Sequence, residues 1–209
     1  MIVTYHGNQQ FKFQLGDMVI AVNPISKDSN LKGAKFGADI CLISVQHPDF
    51  NGADQVSFGE KQPFVVSGPG EYEIKGVFIK GFPSKSNYDG EERNNTIYTF
   101  NLDSLNVCFL GGLSDLDISA EAKQALEELD LLFVPIGGNG VLNAQDAYKL
   151  AVKLEPKAII PMGYDGGEKD ALKIFIKEGG EDVKPIDKLT IKKKDLEGKE
   201  TDIIILSTS

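Results

Sequence analysis

The amino-acid sequence predicts an α/β protein, a four-layer α/β/β/α sandwich forming a single domain over residues 1–209. Three observations carry that expectation. The first half is a series of short apolar runs broken by Gly, Pro and Asn; the second half alternates apolar runs with amphipathic stretches of helical period; no linker, low-complexity tract or short repeat divides them. Strands first, then strands alternating with helices, suit two sheets packed face to face with helices outside.

Phe11 to Leu15 alternates apolar and polar, Gly16-Asp17 turns, and Met18 to Val22 returns, which reads as a hairpin. Asn23-Pro24 stops the second strand, because Pro has no N–H to give to a ladder. Ile40 to Ser44 is a buried strand. Phe64 to Val66, Glu71 to Ile74 and Val77 to Phe82 follow, punctuated by Gly68-Pro69-Gly70 and Gly76. Thr96 to Leu102 and Leu105 to Leu110 form a second hairpin around Asp103-Ser104.

Ser119 is placed to cap a helix over Ala120 to Leu129, with Glu121 favourable in its first turn. Leu131 to Pro135 is a strand. Asn143 caps a helix running to Leu154, with Asp146 as its capping-box partner. Ala158 to Met162 is the next buried strand. A helix from about Lys169 to Glu178 stops at Gly179-Gly180. Val183 to Ile186, Leu189 to Ile191 and Ile203 to Leu206 complete the strands.

Hydrophobic residues are 41% and charged residues 25% of the chain, an ordinary globular balance. The net charge of -9 repels phosphate backbones and anionic lipid, so no nucleic-acid or membrane partner is expected. No run approaches the roughly 20 apolar residues of a membrane span, and the first residues lack a secretory pattern. The expectation is a cytoplasmic protein. Cys41 and Cys108 sit in apolar runs and read as buried thiols rather than a metal pair. Lys192-Lys193-Lys194 reads as a solvated turn.

The most informative segment is Ala38 to Asn51, an apolar strand ending in a loop with His47 and Asp49. With it, in order, stand Ile2 to Asn8, Val22-Asn23-Pro24, Gly68-Pro69-Gly70-Glu71-Tyr72-Glu73, Asn95 to Tyr98, Val107 to Gly112, Val134-Pro135-Ile136-Gly137-Gly138 and Pro156 to Met162. Together these resemble the metallo-β-lactamase superfamily, in the branch of Zn-dependent hydrolases similar to the ascorbate-phosphate lactonases. The resemblance covers nearly the whole chain and implies a metallo-β-lactamase-like sandwich.

That family uses an H-x-H-x-D-H loop, a middle His, a bridging Asp after a Leu-Gly strand end, and a last His in a Pro-Met-His-Tyr turn. Such groups hold zinc, which lowers the pKa of bound water to about 7. The matching loop here reads Val45, His47, Asp49, Phe50, so only the second His and the Asp remain. Leu110-Gly111 is followed by Gly112, and the Pro-Met turn reads Pro161-Met162-Gly163-Tyr164. The window Pro83 to Asn87 holds no His. Asn8 stands where the branch usually has His, and Asn23 where it usually has Asp.

A catalytic zinc has three protein ligands plus water; His47 and Asp49 supply two at most. The resemblance thus implies a degenerate site, with no cofactor, or zinc if the residual pair still binds. Simple local use of the two residues is the competing reading: Asp49 capping a following turn and His47 bonding nearby. His6, at a strand end, reads as structural. Ser44 and Ser67 lack the G-x-S-x-G elbow of serine hydrolases. Gly137 to Gly140 and Gly166-Gly167 lack the phosphate-loop pattern and read as turns. Glu71 and Glu73 share one face and read as solvated strand charges.

The function expected is therefore a non-catalytic binding or assembly module. The old cleft, rimmed by Asn8, Asn23, Asn87, Gly112 and Gly163 beside His47 and Asp49, would take a small ligand. A protein partner or self-association through a sandwich edge or helix face is left open. The alternative is a metal-dependent hydrolase of the lactone or phosphoester class, with one weakly held metal on His47, Asp49 and Asp115 or Asp165.

Overall fold

The computed structural model describes residues 1–165, 170–179 and 183–209. The chain opens with strands β1 (Ile2–Tyr5), β2 (Phe11–Leu15), β3 (Met18–Val22), β4 (Ile40–Leu42) and β5 (Phe64–Val66). Next come β6 (Gly70–Ile74), β7 (Val77–Ser86), β8 (Arg93–Leu102) and β9 (Leu105–Phe109). Helix α1 (Ala120–Ala125), β10 (Leu131–Pro135), α2 (Ala144–Lys153), β11 (Ala158–Met162), α3 (Ala171–Gly179), β12 (Leu189–Thr190) and β13 (Asp202–Ile203) complete the described elements.

The first sheet has the order β12-β1-β2-β3-β4-β5 and the second β13-β11-β10-β9-β8-β7-β6. Both are mixed. Hairpin neighbours β1–β2, β2–β3, β6–β7, β7–β8 and β8–β9 run antiparallel, whereas β3–β4–β5 and β9–β10–β11–β13 run parallel. Parallel neighbours need a crossover, and on the second sheet α1 and α2 lie in those connections.

Period-two alternation decides which face of each strand meets which layer. On β3, Ile20 and Val22 enter the core between the sheets, while Val19 and Ala21 face outward against Ala38, Cys41, Ile43 and Val56. The inter-sheet core is rich in aromatics; Phe133 meets Phe11 and Phe13 edge-on, at centroid separations of 5.0 and 5.1 Å. Helices α1, α2 and α3 all cover the outer face of the second sheet, packing Ala122, Leu150 and Phe175 against Cys108, Leu132 and Ile159. Outside the first sheet the covering layer is irregular chain and a 3₁₀ turn, Ala53–Val56, which brings Val56 onto Cys41 and Ile43. Both cysteines are buried free thiols, and burial pushes that of Cys41 up to about 12.

The departures from sequence expectation have local causes. Ile2–Tyr5, not singled out above as a strand, pairs with both β2 and β12. Helix α1 ends at Ala125 rather than Leu129, because Glu128 turns back with φ 60°. Strands β7 and β8 extend to Ser86 and from Arg93, carrying their hairpin beyond the Pro83 position. Pro83 pairs with Thr96 there. Of Val183 to Ile186 only a single bridge, Ile186 to Leu206, forms. Lys169 and Gly180, expected at the ends of α3, and the Gly166-Gly167 turn lie outside the described residues. Asn143 caps α2 as expected: its side chain accepts the Asp146 N–H at 2.9 Å and donates to the Asp146 carboxylate at 2.9 Å. No helix among the described residues is long and apolar enough to cross a membrane.

Candidate functional site

The loop after β4 is folded on itself. The Phe50 and Asn51 N–H groups both donate to His47 O, at 2.9 and 3.1 Å, and the Asp49 N–H donates to His47 Nδ1 at 3.2 Å. The imidazole is thereby fixed as an acceptor on that nitrogen. Its ring stands edge-on to Tyr88 at 5.1 Å, and Phe50 packs on the same Tyr88 at 4.7 Å. Asp49 does not cap a following turn. One carboxylate oxygen accepts the Ser29 hydroxyl, the other accepts the Tyr88 hydroxyl at 2.7 Å, and its backbone O accepts from Asn8 Nδ2 at 3.2 Å. Burial, together with the Asp49 carboxylate, raises the Tyr88 phenol well above its ordinary range.

Ser29 and Tyr88 were not visible as site residues in the sequence. Nothing at positions 29 and 88 signals a contact with residue 49, since both bonds are long-range and made by loops.

Beneath this loop lies a second closed cluster. Asn23, fully buried with φ 46°, donates to Ser44 Oγ at 2.8 Å and to Gln9 Oε1 at 3.2 Å, and accepts the Ser44 N–H at 2.8 Å. Asn95 similarly donates to Ser84 Oγ at 2.7 Å and Leu110 O at 2.9 Å, and accepts the Gly112 N–H at 2.8 Å. Gly111, at φ 63°, is held so close that a Cβ would stand 2.4 Å from Asn95 Oδ1. At Gly112 a Cβ would stand 2.9 Å from both Val45 Cγ2 and Ser86 Oγ. Any side chain at 112 therefore requires Val45 or Ser86 to shift.

Gly163 is different. It has φ 75°, and the nearest atom to a Cβ there would be Asn8 O, at 3.7 Å. It opens into a cleft of about 210 Å³, lined also by His6, Asn8, Lys32, Asn139 and Asp165. The Tyr5 hydroxyl ties two walls together, donating to Asn8 O at 2.8 Å and accepting the Gly163 N–H at 3.3 Å. A third wall is the Gly137 to Gly140 turn. Gly140, at φ 88°, lies against Asn87 with room for no side chain, since a Cβ would be 1.9 Å from Asn87 O.

The rim residues named from the sequence separate in the structure. Asn8 and Gly163 line the open cleft. His47 and Asp49 lie beside it, in an adjoining recess shared with Asp28, Tyr88 and Asp89. Asn23 and Gly112 are buried in closed clusters, and Asn87 is an exposed turn residue whose N–H donates to Ser114 Oγ at 2.6 Å. Asp115 is exposed and accepts the Asp117 N–H in its own turn, at 3.0 Å. Glu71 is exposed and pairs with Lys80 at 2.9 Å.

Residues 2–163 match the model of the β-lactamase superfamily domain. The chain belongs to that superfamily. A metal-dependent hydrolase of Bacillus cereus is 26% identical over 200 residues, covering 79% of this chain and 86% of the relative. One of Bacillus thuringiensis is 26% identical over 201 residues, with the same coverage. A Thermotoga maritima protein, named as a Zn-dependent hydrolase of the metallo-β-lactamase superfamily, superimposes with TM-score 0.76 at 26% identity, covering 98% of this chain and 97% of that one. A metal-dependent hydrolase from Parabacteroides distasonis shares the fold at 18% identity and TM-score 0.65, covering 98% and 93%.

A superfamily zinc needs three protein donors and bonds near 2 Å. His47 Nδ1 and Asp49 Oδ2 are 3.6 Å apart, a span one ion can bridge. Yet the lone pair of Nδ1 already accepts the Asp49 N–H, and both Asp49 oxygens already accept hydroxyls. Val45 and Phe50 are fully buried apolar side chains. Among the described residues no group of three or more His, Cys, Asp or Glu is gathered as a metal would require. The donors among the described residues do not make up a superfamily metal centre.

Proposed function

We propose that this superfamily member is a small-molecule binding module that works through the Gly163 cleft, without metal-dependent hydrolysis. The single observation that supports this is the protein-made closure of the residual donors. Asp49 is saturated by Ser29 and Tyr88, and the 45, 86 and 112 positions pack together as Val, Ser and Gly. A hydroxide-generating metal needs an open coordination position as well as its ligands, and this arrangement provides neither.

The test is metal content by plasma mass spectrometry after zinc and manganese supplementation, alongside a lactone and phosphodiester panel. The expected result is metal far below one equivalent and no turnover that His47→Ala abolishes. Near-stoichiometric metal, lost in both His47→Ala and Asp49→Ala and accompanied by hydrolysis, would overturn it. That outcome would install the second reading, a one-metal hydrolase. The 3.6 Å approach of His47 to Asp49 and the names of the relatives favour that reading.

A further inference from the structure

The cleft at Gly163 has two walls that the fold fixes independently. On one side the irregular loop between β3 and β4 is pinned at both ends. Ser29 is bonded to Asp49. Gln10, fully buried, clamps the other end, donating to Ala34 O at 2.8 Å and accepting the Ala34 N–H at 3.0 Å. Gly33 completes the seat, because a Cβ there would stand 2.7 Å from Ile25 Cβ. The pinned span holds Leu31 and Lys32 over the cleft.

On the other side stand His6 and Asp165. The Asp165 carboxylate accepts the Thr208 hydroxyl at 3.0 Å, and its proximity adds to burial in raising the Tyr5 phenol. His6 contacts Ser209 through Nδ1, at 3.0 Å to the hydroxyl, and its Nε2 has no partner among the described residues. Burial lowers the imidazole's pKa, so the ring is neutral at pH 7.

One cation and one anion thus line the same small cleft. Neither forms an ion pair with the other, or with any other group among the described residues. The rest of the lining is backbone of three left-handed turns, amide side chains, the Tyr88 ring, Thr208 and an aliphatic strip of Ile25, Leu31 and Val141. A volume of about 210 Å³ is below the ~300–1,000 Å³ of drug-sized sites and suits a molecule of few heavy atoms. We infer that the cleft binds a small zwitterion of the free α-amino-acid class, one with a short aliphatic side chain. Lys32 meets its carboxylate, Asp165 receives its ammonium, and the aliphatic strip receives its side chain. This rests on the binding reading proposed above and names the ligand class for that cleft.

The test is calorimetric titration of the full chain with L-valine and with its two halves: isovalerate, which lacks the ammonium, and isobutylamine, which lacks the carboxylate. Inorganic phosphate serves as a plain anion and glycine as the zwitterion without a side chain. L-valine should bind most tightly, each half-molecule about tenfold or more weaker, the factor expected for one lost charged contact. Lys32→Met and Asp165→Asn, both exposed positions, should each weaken valine about tenfold while leaving circular dichroism unchanged. Isovalerate or phosphate binding as tightly as valine would overturn the inference, as would valine binding indifferent to both substitutions or no binding by any probe. The metal and hydrolysis assay separates the two proposals. Silent probes with no His47-dependent turnover sink only the ligand class, whereas metal-dependent turnover sinks the binding reading itself.

Discussion

The hydroxyl of Tyr88, at the end of the β7–β8 hairpin, donates to Asp49 Oδ2 at 2.7 Å, across the loop that follows β4. That bond turns a residue of the metal-ligand type into a structural acceptor. The Asp49 side chain is only 14% exposed, so an oxygen left without its partner would not be fully rescued by water.

Tyr88→Phe should therefore destabilise the protein by about 1–2 kcal/mol, and it should not create metal binding. Chemical denaturation of the variant, with and without zinc, checks both statements. A zinc-induced rise in its midpoint would show that Tyr88 had been masking a site.

Restoring a carboxylate at the bridging position should fail on packing. Gly112→Asp drives a Cβ to 2.9 Å from Val45 Cγ2 and Ser86 Oγ, and overpacking of this kind costs about 1–3 kcal/mol before the buried charge is counted. Adding Val45→Ala should recover part of that loss, because the two sites touch. Thermal unfolding of the single and double variants measures the coupling, and simple additivity would refute the proposed clash.

Asp39 gives the molecule a defined acid limb. Burial pushes its carboxyl up, but hydrogen bonds from Lys61 and Lys75 and from the Val19 N–H outweigh that and hold it at about 2. The folded pKa lies below the unfolded value, so this stabilisation is present above about pH 4 and lost as pH falls toward 2. It amounts to roughly 2 kcal/mol. Asp39→Asn should lower stability at pH 7 and flatten its dependence between pH 4 and 2, measured by urea denaturation across that range.

Asp130 closes the opposite sheet in the same manner. Its fully buried side chain pairs with Lys157 at 3.0 Å and Lys193 at 2.5 Å and accepts the Asn106 N–H at 2.8 Å. Asp130→Ala should cost about 1–3 kcal/mol, since it leaves the part-buried Asn106 N–H without its acceptor, whereas the two lysines are more than a third exposed and are rehydrated. Lys193→Met should cost less, because Lys157 remains. Equal losses in the two variants would show that Lys193 carries the whole interaction.

Much of the architecture was legible before folding. The hairpin at Gly16-Asp17, the apolar runs at 40–44, 131–135 and 158–162, and the caps Ser119 and Asn143 are local signals, and each formed at its pattern, with β4 stopping at Leu42 short of Ser44. The site was legible only as a set of positions. His47 and Asp49 were recognisable by motif, whereas Ser29, Tyr88, Gln10 and Lys32 reach the site through loops whose paths no periodicity encodes.

By itself, the sequence determined the superfamily sandwich and the chemistry of the ligand positions, because alternation, capping and residue type are properties of short segments. Only tertiary structure decided what those positions do. Whether Gly112 is closed and Gly163 open depends on what stands a few ångströms away, Val45 and Ser86 in one case and the far wall of a cleft in the other. Proximity across distant segments is a property of the packed chain.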